Sequence, residues 1–149
     1  MNIVNTLDQI NEDYIFFGEP IKNTIMNDGS FIRIMYSTPL FVLNGIYILI
    51  SISNPYIEKY YNKYKCSFDM STHKDIIHRL LMLEDCILKK VNIRNKVAVH
   101  KLAEQLKNGN IKFFSDSLEK IDTSNYVLKI SGVWETTENY GITYKFLKL

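Results

Sequence analysis

The chain has 149 residues, 46% hydrophobic and 23% charged, which is enough apolar material for one domain and excludes an intrinsically disordered chain. Two cysteines do not make a disulfide framework, and a formal net charge of +2 excludes a strongly basic or acidic protein overall. The charge is uneven, however: residues 1–56 hold two basic against five acidic side chains, 57–101 ten against five, and 102–149 six against six, so the middle segment carries the positive field.

Residues 1–13 are polar and read as a short helix or an arm. They lack the basic and apolar regions of a signal peptide, so a reducing intracellular compartment is expected. Strands follow near 14–25, 30–37 and 41–53, with Asn27-Asp28-Gly29 a turn because these residues tolerate positive φ. In the second strand Phe31, Arg33, Met35 and Ser37 oppose Ile32, Ile34 and Tyr36. Asn44-Gly45 reads as a two-residue turn or, by preference, as a bulge within the third strand. The longest apolar run, 40–52, is interrupted by Asn44, Gly45 and Ser51 and is too short to cross a bilayer as a helix, so no membrane association is expected.

The segment 56–68 interleaves Tyr56, Tyr60, Tyr61 and Tyr64 with Lys59, Lys63 and Lys65 and reads as a short helix or a loop. Thr72 and Asp75 form a capping-box pair for a helix at 73–90, whose apolar positions Ile76, Ile77, Leu80, Leu81, Ile87, Leu88 and Val91 recur at helical spacing. A second helix at 96–107 turns Leu102, Ala103 and Leu106 inward and stops at Asn108-Gly109. A short strand at 111–114 and a polar loop at 115–125 lead into a closing hairpin, 126–135 and 141–148. Alternation sets Tyr126, Leu128, Ile130 and Trp134 against Lys129 and Ser131, and Ile142, Tyr144 and Phe146 against Thr143, Lys145 and Leu147. Gly132 marks a bulge or a bend. The expected fold is mainly β with two helices (α+β), one domain over 1–149 built as an OB-fold-like five-stranded antiparallel barrel. The alternative is an open antiparallel sheet covered by helices.

Cys66, His73, His78 and Cys86 do not make a zinc site. His78 and Cys86, eight residues apart on one helix, stand roughly 12 Å apart along its axis, too far for one tetrahedral ion. Glycine-rich phosphate loops, paired metal-ligand histidines and nucleophile elbows are missing from the sequence, so no enzyme and no cofactor are expected. What stands out is Lys22, Arg33, Lys129 and Lys145 in strands beside Tyr36, Tyr47, Trp134 and Tyr144. Single strands are bound without sequence preference by this combination, cations tracking phosphates while bases stack on aromatic rings.

The segments Gly109-Asn110-Ile111-Lys112-Phe113-Phe114-Ser115, Leu128-Lys129-Ile130-Ser131-Gly132-Val133-Trp134-Glu135 and Tyr140-Gly141-Ile142-Thr143-Tyr144-Lys145-Phe146 resemble the phage T7-type single-stranded DNA-binding proteins of large nucleocytoplasmic DNA viruses. Phe16-Phe17-Gly18-Glu19-Pro20 and Phe31-Ile32-Arg33-Ile34-Met35-Tyr36-Ser37 extend the likeness. The resemblance implies an OB-fold that coats single-stranded DNA during viral replication, recombination or repair, inside the host cell in cytoplasm or nucleus. It also implies a homodimer and viral replication proteins as partners; Phe146, Leu147 and Leu149 make the final strand the expected dimer contact. Such proteins often end in an acidic tail, and this sequence closes on Lys145-Phe146-Leu147-Lys148-Leu149 instead. That departure favours the alternative, an OB-like protein-interaction or virion-structural module without nucleic-acid binding.

Overall fold

The β-branched and aromatic run of the closing hairpin becomes the centre of the molecule. The structure is a computed structural model that describes residues 4–22, 29–61, 63–114 and 125–148; positions 23–25 of the expected first strand, the Asn27-Asp28 part of the expected turn, nearly all of the 115–125 loop and Leu149 lie outside them. Its strands are β1 (Ile15–Phe17), β2 (Ile21–Lys22), β3 (Ser30–Ser37), β4 (Val42–Leu43), β5 (Ile46–Ser51), β6 (Tyr56–Tyr60), β7 (Lys63–Ser67), β8 (Val97–Ala98), β9 (Asn110–Phe114), β10 (Asn125–Glu135) and β11 (Asn139–Lys148). Helices α1 (Lys74–Val91) and α2 (Lys101–Lys107) stand between β7 and β9, with β8 between them.

These strands form one mixed, open sheet with the path β1-β3-β10-β11-β9-β7-β6. The α+β class and the open, helix-covered alternative therefore hold, with two amendments: β8 and β9 run parallel to β11, and the described strands do not close a five-stranded barrel. Along one edge β10 meets two partners in turn, β5 through residues 125–130 and β3 through 132–135. Its other edge is taken throughout by β11. β11 lies inside the sheet, between β10 and, at Phe146, β9, and Phe146 is buried within the chain.

The expected third strand is two. β4 pairs with β3, the chain bends at Asn44-Gly45, with Gly45 at φ +110°, and β5 pairs with β10. The tyrosine-lysine segment 56–68 is the hairpin β6–β7, turning at Tyr61 with φ 56°, and neither a helix nor a loop. At 96–107 only Lys101–Lys107 is helical, since Val97 and Ala98 pair with Asn139 and Tyr140. The Thr72 capping box does not form: Thr72 Oγ1 donates to Asp69 Oδ2 at 2.9 Å, and His73 is the N-cap of α1. His73 is buried, its Nε2 accepting from Ser53 N–H at 2.9 Å while Nδ1 faces the Asp69 carbonyl at 2.8 Å, so it ties α1 to the end of β5.

The core lies between one face of the sheet and the helices. Ile34, Ile46, Ile48, Leu128, Ile130, Ile142 and Phe146 meet Ile77, Leu80, Ile87, Leu102 and Leu106. One carboxylate sits inside it. Glu84 of α1 is fully buried and accepts hydrogen bonds from the Leu102 and Ala103 N–H groups at 3.0 and 2.9 Å, satisfying the first turn of α2 in place of a conventional cap.

Two outcomes follow for stability. Burial pushes the Glu84 pKa above its ordinary 4.5, with the two N–H bonds and His100 pulling it back. The folded protein thus holds this proton more tightly than the unfolded chain, and the resulting stability, full below pH 4.5, is lost as pH rises through the raised folded value. Urea midpoints measured across that range should show this slope in the native chain and not in Glu84→Gln, while Glu84→Ala should cost about 1–3 kcal/mol by stranding two buried N–H donors. Gly132→Ala should also destabilise, because a Cβ there would stand 2.4 Å from the Ile32 carbonyl oxygen and from Phe31 Cζ; thermal unfolding would read the loss.

Candidate nucleic-acid interface

The face of the sheet away from the core is organised by an irregularity in β10. Up to Ile130 the even-numbered residues point inward; a register shift between Ile130 and Gly132 then makes Val133 the buried residue. Trp134, expected on the face of Ile130, is thereby turned outward to join Lys129. A β-bulge adds one residue to one strand, and every side chain beyond it changes face.

A row of side chains crosses this outer face. Tyr47 of β5 pairs with Lys129 of β10, which pairs with Lys145 of β11. Lys145 and Lys112 each precede by one residue the parallel pair Phe146–Phe113, so they share the face opposite those rings. Lys112 pairs with Lys65 of β7, and Lys65 with Glu58 of β6. Four lysines thus occupy four neighbouring strands, a span of about 15 Å at the usual strand spacing. Among the described residues none of the four makes an ion pair. Like charges directly opposite on a sheet are unfavourable, and here there are two such pairs, Lys129–Lys145 and Lys65–Lys112.

Rings flank the row. The Lys129 ammonium stands 5.5 Å from the Tyr47 ring centroid, and Lys63 stands 5.5 Å from that of Phe114, which is 66% exposed. On the other side Arg33 pairs with Gly132 and is exposed. Trp134 lies against Gly141, where a Cβ would come within 2.6 Å of the indole, and Lys101 places its ammonium 4.9 Å from the ring centroid. Trp134 is accordingly half-buried between a backbone and a cation, and is not an open stacking platform.

Of the residues nominated from sequence, Arg33, Tyr47, Lys129, Trp134 and Lys145 come together on this face. Lys22 is exposed at the sheet margin opposite Ser30, on the alternate side from the Ile21–Phe31 pair. Tyr36 faces the core at 2% exposure, its hydroxyl accepting from Asn11 N–H at 2.9 Å. Tyr144 turns toward α2, where its hydroxyl donates to Gln105 Oε1 at 2.6 Å. Sequence reasoning missed Lys65, Lys112, Lys101 and Phe114. The signal for Lys65 was present in the alternation Lys63-Tyr64-Lys65-Cys66-Ser67, which has the period of a strand.

The thiols are placed for packing. Cys66 is buried, and Cys86 donates to Glu12 Oε2 at 2.6 Å with its pKa pushed up to about 11 by burial and by that carboxylate, so it is a thiol at neutral pH. No helix among the described residues is long and apolar enough to cross a membrane.

No protein-family model, curated protein or solved structure matches this chain. Its functional reading therefore stands on the outer face itself.

If the lysine row carries like-charge strain, replacing one member by an acid should relieve it. Lys145→Glu, facing Lys129, should give a small rise in urea midpoint at low salt that shrinks as salt is added.

Proposed function

We propose that the chain binds single-stranded DNA without sequence preference across the lysine row of the sheet, and serves viral DNA replication, recombination or repair as the resemblance to T7-type proteins implies. One observation supports this most: Lys129, Lys145, Lys112 and Lys65 stand side by side on neighbouring strands, with Glu58 beyond Lys65 and no ion pair to any of the four among the described residues, bordered by Tyr47 and Phe114. Such a row disfavours folding unless something anionic occupies it, and a phosphate backbone is a repeating anion. Rings at its margins offer faces to unstacked bases, a chemistry that tolerates any sequence. An open sheet suffices for this, although the resemblance implies the finer architecture of a closed OB barrel.

The test is a titration of the folded protein with a 30-mer of oligo-dT at several salt concentrations. Four neutralised phosphates correspond to a slope of log affinity against log salt of about −3 for a single strand. Lys129→Gln or Lys112→Gln should weaken binding and reduce that slope by about 0.7 each. Tyr47→Ala and Phe114→Ala should weaken binding by about 1–3 kcal/mol per lost base stack and leave the slope unchanged. Failure of the folded protein to bind at low salt overturns the proposal in favour of a protein-interaction module.

A further inference from the structure

The lysine row borders a hollow. β11 pairs with β8 at Asn139 and Tyr140 and with β9 only at Phe146, so between these points it lacks a strand on that side. Helix α2 fills the gap through the Tyr144–Gln105 hydrogen bond. Between α2 and the start of β9 this leaves a cavity of about 540 Å³, whose lining includes Lys65, Lys101, Lys112, Glu104, Gln105 and Tyr144. Three ammonium groups share the cavity with one carboxylate, and none of the three makes an ion pair among the described residues. The β7–β9 register sets Lys65 and Lys112 directly opposite each other, so both side chains rise from one face with their Cβ atoms about 5 Å apart. The Tyr144 hydroxyl, pushed up to about 12 by burial and by Glu84 and Glu104, keeps its proton and gives it to Gln105 Oε1, leaving the Gln105 amide nitrogen as a donor.

We propose that this cavity binds a phosphomonoester dianion, the group borne by the end of a nucleic-acid strand or by a free nucleoside monophosphate. Three lysines against Glu104 give the lining a net charge of +2, which matches a phosphomonoester near neutral pH. A phosphodiester carries a single charge and is suited to the open row, where each lysine can meet one phosphate. The volume lies within the range of small-molecule sites, leaving room beyond the phosphate for a sugar and base. Lys101 also couples the cavity to the only tryptophan, since the ammonium that would turn toward a phosphate is the one held 4.9 Å from the Trp134 ring centroid. The strand-end source rests on the single-strand reading above; the monophosphate source does not.

Calorimetry and Trp134 emission, with dTMP and thymidine as probes and oligo-dT with and without a 5′-phosphate, separate the possibilities. dTMP is expected to bind saturably and change the emission, thymidine to do neither. Lys112→Gln and Lys65→Gln should weaken dTMP about tenfold by removing a charge-assisted hydrogen bond each, while Lys129→Gln, outside the cavity, should leave dTMP binding unchanged. Tighter binding of the 5′-phosphorylated oligomer identifies the strand end as ligand. Binding of dTMP without binding of either oligomer sustains the cavity as a mononucleotide site and overturns the single-strand reading alone. Equal weakness of dTMP and thymidine, or equal sensitivity of dTMP binding to Lys129→Gln and Lys112→Gln, overturns the cavity proposal whether or not oligo-dT binds.

Discussion

The register shift in β10 between Ile130 and Gly132 sets the relation between the two faces of this molecule. Before it, the strand answers to β5 and buries Tyr126, Leu128 and Ile130; after it, the strand answers to β3 and buries Val133. Without the extra residue, Trp134 would enter the core and Val133 would face outward. The shift also leaves Gly132 and Gly141 facing outward beneath the rings of Phe31 and Trp134, positions that a side chain could not share with those rings. The outer surface is therefore specified by backbone geometry as much as by composition.

Burial and surface charge pull stability in different directions. The core, with its buried isoleucines and the Glu84 tie between the helices, is where the fold is held. The lysine row opposes it, pairing like charges on neighbouring strands. The acidic side chains of α1 are engaged elsewhere: Asp75 with Arg79, Asp85 with Lys89 and His100, and Glu84 within the core. Regional charge in the sequence, with its excess of basic residues in 57–101, reflects only part of this, because Lys129, Lys145 and Lys112 come from a segment of no net charge.

Much of the sheet was legible in the sequence. Alternation in 30–37 and in the closing hairpin predicts the inward and outward sides of β3 and β11 and the buried half of β10, because period-two patterning survives wherever one face is covered. The faces beyond Gly132 were not legible, since whether a glycine in a strand is a bulge or a bend depends on the partner strand. The hairpin β6–β7 was obscured by tyrosines, which suit either a helix or a strand, and by a turn at Tyr61 without a Gly or Pro to mark it. The short α2 was over-extended because Val97 and Ala98 fit a helix until β11 offers them a parallel ladder. Lys112 and Lys145 could not be recognised as neighbours, since the parallel contact of β9 with β11 joins segments with no turn between them.

The central place of β10 also bears on how the chain assembles. Strands β1 to β5 leave the ribosome long before β10, the strand that joins them to the rest of the sheet; Ser30 and Glu135, which meet at its end, are 105 residues apart. Until that strand is made, β3 has only β1, β2 and β4 beside it and β5 lacks its partner, so their inward faces remain apolar surface in a nascent chain. Loop closure over such distances is slow, and chains in this condition are the ones that aggregate or need chaperones. Folding here cannot proceed from the N-terminus forward.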